Sequence, residues 1–237
     1  MKIALSGYGR MGKRVEAIAL QRGHKITCIL NQPDDWQKRQ QELAKSDVVI
    51  DFSDANSIED NIKHAHALNI PFVTGTTGWD KKRKLMIANI KSTGNTLFFA
   101  PNFSIGVNLL FELNRQLASL TTQHQQYKAR INETHHIHKL DAPSGTAIAL
   151  AEDITKRNEK YTGWSQKDAE AKDTVLIHAE RSGEVIGTHS VEWESDIDLI
   201  RLEHKAKNRN GFAIGAVVAA EWVKDKKGYF EMADMLF

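Results

Sequence analysis

The chain opens with Met1-Lys-Ile-Ala-Leu-Ser-Gly-Tyr-Gly-Arg-Met-Gly-Lys13, a short apolar strand that runs directly into three glycines spaced Gly-x-Gly-x-x-Gly. Apolar residues then recur at helical spacing from Val15 to Leu20. This order of strand, turn and helix predicts dinucleotide binding, because glycines allow a tight turn and a close backbone approach to a pyrophosphate at a helix N-terminus. The alternative is a glycine turn with a purely structural role.

Strands and helices alternate after this opening. The predicted strands are Lys2–Ser6, Lys25–Leu30, Asp47–Phe52, Pro71–Gly75 and Thr96–Ala100. The predicted helices are Gly12–Arg22, Ala55–Leu68 and Lys81–Lys91, with a loop and a short helix within Gln32–Lys45. Such alternation predicts an α/β protein with a Rossmann-like, doubly wound parallel sheet.

Doubly wound sheets bind ligands beyond the carboxyl ends of their strands, so the cofactor is expected there. The predicted cofactor-binding residues are Gly7, Tyr8, Gly9, Arg10, Met11, Gly12, Asn31, Phe52, Gly75, Thr76, Thr77, Ala100, Pro101, Asn102 and Phe103. Asn31 ends the second strand, where an acidic residue usually selects NAD and a nearby arginine NADP. An amide accepts ribose hydroxyls and does not repel a phosphate, while Lys38 and Arg39 lie farther along. The expected cofactor is therefore NADH or NADPH, with dual use favoured.

The pattern changes after Phe103. A long helix is predicted at Ser104–Leu120, a strand at Gln125–His136, a helix from Thr146 to Arg157, an irregular polar segment at Asn158–Asp173, and antiparallel strands at Val175–Glu180, Thr188–Ser195 and Asp198–His204. An apolar helix at Phe212–Trp222 is expected to return to the first domain. The predicted domains are thus 1–104 with 212–237, which bind the dinucleotide, and 105–211, an inserted α+β domain.

The inserted domain contains Glu133-Thr-His-His-Ile-His-Lys-Leu-Asp-Ala-Pro-Ser-Gly-Thr-Ala147. Its histidines and Lys139 can transfer protons near neutral pH. The run Ser144, Gly145 and Thr146 is predicted to present unpaired backbone N–H groups at a helix start, which suits a carboxylate. Together these features predict proton chemistry on a small acidic metabolite.

Several of these residues have a second interpretation. His135 and His136 point to opposite faces of an extended strand, so at most one faces substrate unless the strand ends or bulges there. His136 and His138 have the spacing of a zinc pair, but no cysteine cluster or third ligand at metal spacing accompanies them, and no metal is expected. His138 is expected at the surface or beside the site. Arg209 either pairs with a substrate carboxylate or caps its loop.

Composition narrows the class of protein. Among 237 residues, 32 are Lys or Arg and 30 are Asp or Glu, a net charge of +2. This balance does not favour nucleic-acid binding, and the basic run Lys81–Lys84 is expected to be a solvated surface. The single cysteine, Cys28, is expected in a strand core. The sequence shows no signal peptide and no apolar run of membrane-spanning length, so a cytoplasmic enzyme is expected.

The chain resembles the dihydrodipicolinate reductase family of the diaminopimelate–lysine pathway along nearly its whole length. The resemblance rests on Gly7–Gly12, Asp51–Ser53, Gly75–Gly78, Ala100–Asn108, His135–Ala147, Glu180-Arg181 and Arg209–Ala216, of which the histidine-containing run is the most specific. It implies an NAD(P)H-dependent reductase of a small dicarboxylate, usually a homotetramer assembled through the sheets of the second domain. It also implies His135 and Lys139 as catalytic residues, and it implies substrate-binding roles for His136, Ser144, Gly145, Thr146 and Arg209.

Two alternatives remain open at this stage. One is another two-domain dehydrogenase of the aspartate or homoserine type, which would share only the cofactor half. The other is a dinucleotide sensor without catalytic activity. The run from His135 to Ala147 argues against both, because neither needs this combination of proton donors and turn.

Overall fold

The computed structural model describes residues 1–167 and 173–237. Along the chain the helices and strands are β1 (Lys2–Ser6), α1 (Arg10–Gln21), β2 (Lys25–Leu30), α2 (Asp35–Lys38), α3 (Gln40–Leu43), β3 (Val48–Asp51), α4 (Ile58–Ala67), β4 (Phe72–Thr74), α5 (Asp80–Thr93), β5 (Thr96–Phe99), α6 (Ile105–Leu120), β6 (Lys128–His135), α7 (Gly145–Arg157), β7 (Gly163–Ser165), β8 (Thr174–Arg181), β9 (Thr188–Glu194), β10 (Leu199–Lys205), α8 (Asn210–Val223), β11 (Gly228–Phe230) and α9 (Met232–Leu236).

The chain divides into two compact units. The first comprises Met1–Ile105 and Asn210–Phe237, and the second comprises Gly106–Arg209. Among the described residues, no helix has the length and apolar character needed to cross a bilayer.

The first unit contains a sheet of six parallel strands in the order β2-β1-β3-β4-β5-β11. Both of its faces are covered, because α1 and α8 contribute to one apolar core while α4 and the short helices α2 and α3 contribute to another. Burial on both faces explains why β3 reads as an uninterrupted apolar run before Asp51. The predicted doubly wound parallel sheet is confirmed.

Some details of the first unit differ from the prediction. The short edge strand β11 and helix α9 were not predicted, and Gln32–Lys45 contains two four-residue helices rather than one. Helix α1 begins at Arg10, inside the glycine turn, and α4 begins at Ile58. Cys28 is buried in β2.

The strand order reverses between β1 and β3, which places the ligand crevice of such a sheet beyond their carboxyl ends. Two glycines allow the turn after β1 to pack closely against neighbouring backbone. Gly7 has φ +78°, and a Cβ there would lie 2.4 Å from the backbone oxygen of Phe52. A Cβ on Gly12 would lie 2.2 Å from the oxygen of Gly7. Only glycine fits at these two positions.

The second unit contains a five-stranded mixed sheet in the order β10-β9-β6-β8-β7. Its core is formed by one face of the sheet and by α6 and α7. The prediction that the three late strands are antiparallel is wrong for β8, which runs parallel to β6, whereas β9 is antiparallel to both β6 and β10. Helix α7 connects β6 to the β7–β8 side of the sheet, and a helical crossover is what allows parallel pairing.

The polar segment Asn158–Asp173 was predicted to be irregular. Its first part includes the three-residue strand β7, which pairs in parallel with β8. The portion 168–172 lies outside the described residues.

Candidate active site

The carboxyl ends of β1, β2 and β3 border a cavity of about 730 Å³. Of the residues predicted to bind cofactor, it is lined by Gly7, Tyr8, Gly9, Asn31 and Phe52. A second depression of about 340 Å³ shares Gly9 and Phe52 and adds Arg10, Met11, Gly75, Thr76 and Thr77. The first is of the size that small-molecule and cofactor sites occupy.

The remaining predicted cofactor residues do not line either cavity. Gly12 is buried in α1, where it packs against the turn. Ala100 and Phe103 are buried in the core between the sheet and α8. Pro101 is exposed, and the side chain of Asn102 accepts a hydrogen bond from the Ser104 amide at 2.9 Å.

A buried carboxylate, Asp51, organises the ends of three strands. It accepts hydrogen bonds from the hydroxyls of Ser6 at 2.6 Å, Thr74 at 2.8 Å and Thr76 at 2.7 Å. These bonds tie β1, β3 and β4 together at the edge that carries the cavities, and they fix the side chain of Thr76. The sequence pointed to Asp51 only as part of the segment Asp51–Ser53, without a role of its own.

The loop after β2 is shaped by two side chains, Asn31, which the sequence pointed to, and Asp35, which it did not. The Asn31 side chain accepts a hydrogen bond from the Tyr8 amide at 2.9 Å, so it buttresses the glycine turn. The amides of Asn31 and Gln32 both donate to Asp35 Oδ2 at 2.8 Å. These hydrogen bonds hold the pKa of Asp35 below its usual range, and the one from Gln32 has the larger effect. A carboxylate four residues beyond the expected position therefore contacts Asn31 and Gln32, two residues that line the cavity.

These features fit a dinucleotide. The turn at Gly7 and Gly12 has no room for a side chain, whereas a Cβ on Gly9, at the N-terminus of the 12-residue helix α1, would meet no atom within 4 Å. This leaves open space in front of the helix N-terminus, where a pyrophosphate is stabilised. The residues that would hold the dinucleotide are those lining the two cavities.

In the second unit, β6 presents Glu133 and His135 on its buried side, as the two-residue period of a strand requires. The strand ends at His135, so His136 lies in the turn that follows rather than on the opposite face. His136 Nε2 accepts a hydrogen bond from Arg209 Nη2 at 3.2 Å. The pKa of His136 is lowered, mainly by burial and next by the charge of the Arg209 guanidinium, and this favours its neutral form.

Glu133 lies at the centre of the buried groups. One carboxylate oxygen forms an ion pair with His135 Nδ1. The other accepts hydrogen bonds from the Ser144 amide at 3.0 Å and from Arg181 Nη2 at 3.1 Å. The prediction that the Ser144 amide is unpaired is therefore wrong, because the tertiary fold places the Glu133 carboxylate within hydrogen-bond distance of it.

His189 completes this cluster from β9. Its Nε2 lies 3.1 Å from the Ser144 hydroxyl, and its ring packs edge-on against His135 with the centroids 5.0 Å apart. Burial, and then the charge of His135, lower the pKa of His189 to about 4, so it is neutral at physiological pH. Sequence reasoning missed His189 and Glu133. A partial signal existed, since Glu133 and His135 share a strand face.

The loop between β6 and α7 carries the other predicted catalytic residue. Lys139 Nζ lies 2.7 Å from both carboxylate oxygens of Asp141. Hydrogen bonding by Lys139 is the main reason that the pKa of Asp141 is lowered. His138 is exposed and pairs with Glu184 at 3.1 Å, away from the buried cluster.

Helix α7 begins directly after this loop. Ser144 is its N-cap, and the Ser144 hydroxyl accepts from the Ala147 amide at 3.2 Å. The amides of Gly145 and Thr146 occupy the first turn, where no intrahelical acceptor exists. They lie at the positive end of a 13-residue helix dipole, and Gly145 is exposed. Two donors thus remain for an anion.

Glu133, His135 and His189 each offer one potential metal ligand atom, within 4.8 Å of one another. This trio differs from the His136–His138 pair considered from the sequence. Glu133 and His135 are within hydrogen-bond distance of each other, whereas two ligands on one zinc ion stand about 3.3 Å apart. The arrangement therefore matches a shared proton better than a shared metal.

The fold and these two groups of residues define a nicotinamide-dinucleotide-dependent oxidoreductase that acts on a small molecule. Residues 1–103 match the family model described as dihydrodipicolinate reductase, N-terminus, and residues 106–236 match the one described as dihydrodipicolinate reductase, C-terminus. The chain belongs to this family.

Individual relatives agree with this assignment. The chain is 46% identical to 4-hydroxy-tetrahydrodipicolinate reductase of Christiangramia forsetii, over 100% of this chain and 98% of the relative. It is 36% identical to the enzyme of the same name from Akkermansia muciniphila, over 96% and 94% of the two chains. The fold matches that of dipicolinate-bound dihydrodipicolinate reductase from Paenisporosarcina sp. TG-14 with a TM-score of 0.82 at 21% identity, over 100% and 99% of the chains.

These matches confirm the predicted family and the prediction that the chain is a reductase of lysine biosynthesis. They give no support to the two alternatives, an aspartate- or homoserine-type dehydrogenase and a sensor without catalytic activity.

Proposed function

We propose that the chain reduces 4-hydroxy-tetrahydrodipicolinate to tetrahydrodipicolinate with NADH or NADPH, and that His135 and Lys139 are its proton donors. The observation that carries the proposal is the position of His135. It is paired with a buried carboxylate at the end of β6, in the same unit as the α7 N-terminus and the Lys139 loop. The dipicolinate bound to the Paenisporosarcina relative is likewise a cyclic dicarboxylate.

The chemistry assigns separate tasks to these groups. When bound, the reduced nicotinamide would supply a hydride to carbon four of the dehydrated substrate ring. Electron density then moves to the ring nitrogen, where a cationic acid is required, and Lys139 with protonated His135 supplies the proton. The amides of Gly145 and Thr146 hold one substrate carboxylate. His136 and Arg209, which are hydrogen-bonded to each other, are assigned to the rest of the substrate.

A coupled assay tests this proposal. Aspartate semialdehyde and pyruvate are supplied with the upstream synthase, and the loss of reduced-nicotinamide absorbance is followed. Consumption that depends on both the synthase and this chain supports the proposal. Turnover of aspartate or homoserine instead, or binding of the dinucleotide without any turnover, would replace it with one of the two alternatives.

The anion-binding role of the α7 turn leads to a prediction for Thr146. Thr146→Ala keeps the backbone amide but removes the side-chain hydroxyl at the same turn. The KM for substrate is expected to rise about tenfold and kcat to change less, because the hydroxyl's hydrogen bond to the substrate carboxylate is lost in both ground and transition states. Thr155→Ala, at a half-buried position of the same helix, is the matched control. Initial-rate kinetics measure both constants. A fall in kcat at unchanged KM would assign Thr146 to the chemical step instead.

For the cofactor, we propose that both NADH and NADPH are used and that Asp35 favours NADH. Its carboxylate already accepts hydrogen bonds from the amides of Asn31 and Gln32, which a 2′-phosphate would otherwise approach. The next two basic side chains along the sequence already form ion pairs, Lys38 with Asp34 and Arg39 with Glu42. The phosphate of NADPH would therefore come near a negative charge at the amides of Asn31 and Gln32.

This proposal predicts the behaviour of Asp35→Asn. The variant is expected to improve the binding of NADPH relative to NADH about tenfold, because it removes one nearby charge and retains a hydrogen-bond acceptor. Dissociation constants for both cofactors, measured by calorimetry, give this ratio without reference to turnover. Asp80→Asn removes a charge at the start of α5 and is expected to leave the ratio unchanged. An unchanged ratio in Asp35→Asn would exclude this role.

We further propose that the chain forms a homotetramer through the sheet of the second unit. The edge strand β10 supports this, because Leu199 is 48% exposed and Ile200 36% exposed on it. An apolar edge strand is a common pairing surface. An enzyme that consumes reduced nicotinamide in amino-acid biosynthesis is expected to work in the cytoplasm.

A further inference from the structure

The carboxylate of Glu133 connects groups from four separate segments of the second unit. Its side chain is fully buried, on β6. It contacts His135 on its own strand, Arg181 at the end of β8 and the amide of Ser144 at the N-cap of α7. Arg181 in turn donates to the backbone oxygen of Asp141 at 2.5 Å, in the loop that carries Lys139. One side chain thus joins the histidine, the anion-binding turn and the lysine loop.

The charge state of Glu133 follows from its contacts. Burial by itself would raise the pKa of Glu133, but hydrogen bonding by His135 and by the Ser144 amide outweighs it and lowers the pKa to about 2. Glu133 is therefore a carboxylate at neutral pH. The charged and titratable groups around it are His135, Lys139, Asp141, Arg181, His189 and, beyond His189, His204.

These contacts also determine which nitrogen of His135 can face a ligand. Because Glu133 is ionised and its Oε2 lies beside Nδ1, its charge favours a proton on that nitrogen, and Nε2 lies at the opposite edge of the ring. That edge lies beside Gly187, where a Cβ would come within 3.0 Å of Nε2 and 3.3 Å of Cδ2. The glycine leaves the Nε2 edge of the ring clear of a side chain.

We propose that Glu133 is the positioning residue of this reductase: it holds the proton on His135 Nδ1, directs Nε2 to the substrate, and couples the histidine to the anion-binding turn through the Ser144 amide. The inference rests on the proposed catalytic role of His135. It assigns Glu133 no contact with substrate or cofactor.

The decisive variant is Glu133→Gln, which keeps the shape and an oxygen for the Ser144 amide but removes the charge. We expect kcat to fall about 10- to 10³-fold, since loss of a carboxylate that orients a catalytic histidine costs up to about 10⁴-fold. The KM for substrate is expected to change less than about threefold. The pH dependence of kcat is expected to change, because the negative charge beside the proton-donating histidine is gone.

Nitrogen-15 NMR of the histidine rings in the ligand-free protein provides a readout that does not depend on turnover. In the native chain, neutral His135 is expected to carry its proton on Nδ1, and in Glu133→Gln this preference is expected to weaken. Glu184→Gln is the matched control, because it removes the carboxylate of the exposed His138–Glu184 pair. It is expected to leave kcat, the pH profile and the His135 signals unchanged.

The outcomes separate this inference from the proposed function. An unchanged His135 proton position and an unchanged pH profile in Glu133→Gln would overturn the inference, even if the native chain reduces the proposed substrate. Conversely, a native chain without reductase activity would remove the proposed function, while the NMR comparison would still decide whether Glu133 holds the proton. If Glu133→Gln does not fold, Glu133→Asp, which retains the charge, is expected to keep the native pH profile, and a displaced profile in that variant would reject the inference.

Discussion

Replacing Lys139 with alanine is expected to lower kcat by about 10²–10⁴-fold, the contribution of a well-placed general acid. Lys139 is positioned for this role by the carboxylate of Asp141, which lies 2.7 Å from Nζ through both oxygens. Loss of the ammonium removes both a proton and a positive charge at the place where electron density develops in the ring. The coupled synthase assay measures the loss.

His135→Ala is expected to produce a fall in kcat of the same size. The double variant is expected to fall by much less than the product of the two single effects, because residues that act on one transition state are not additive. Lys156→Ala, which removes an exposed lysine paired with Glu152, and His138→Ala serve as controls and are expected to retain activity. A Lys139→Ala enzyme with nearly native kcat would rule out the acid role given to this residue.

Gly12→Ala is expected to destabilise the first unit and to weaken cofactor binding. Its Cβ would lie 2.2 Å from the oxygen of Gly7, a backbone atom, so α1 has to move away from the turn. Forcing a methyl group into such a contact costs about 1–3 kcal/mol of unfolding free energy. Displacement of the helix also moves its N-terminal amides, and the dissociation constant for the cofactor is expected to rise at least about tenfold.

Alanine variants at two other glycines distinguish an effect on stability from an effect on cofactor binding. Gly9→Ala meets no atom within 4 Å, so its unfolding free energy is expected to stay within about 0.5 kcal/mol of native while cofactor affinity falls. Gly163→Ala, also in open space, is expected to change neither. Urea unfolding and calorimetric titration supply the two quantities. Native stability and affinity in Gly12→Ala would show that α1 tolerates the displacement.

Local sequence was sufficient for much of the first unit. β1, the glycine turn and α1 follow one another within a few residues, and each depends on contacts between near neighbours. The five predicted strands appear at their predicted places because buried parallel strands are apolar on both faces. β11 was missed because three residues, Gly228–Phe230, are too few to show a period, and they form a strand only by pairing with β5.

The candidate site was predictable in its parts but not in its connections. The run from His135 to Thr146 predicted candidate proton donors and the start of α7, since these are properties of residue type and short spacing. The partners of Glu133 were not predictable in this way. Arg181 lies opposite His135 in the β6–β8 pairing, and His189 lies opposite Glu133 in the β6–β9 pairing.

The sequence by itself therefore determined the residue types, the strand and helix periods and the glycine turn, all of which depend on interactions along a short stretch of chain. The tertiary structure alone decided the direction of β8, the pairing of the Ser144 amide with Glu133, and the placement of His189. Each of these depends on which strand pairs with which, and in what register. Strand order and register are selected by burial of whole sheet faces over long sequence separations, which no local pattern encodes.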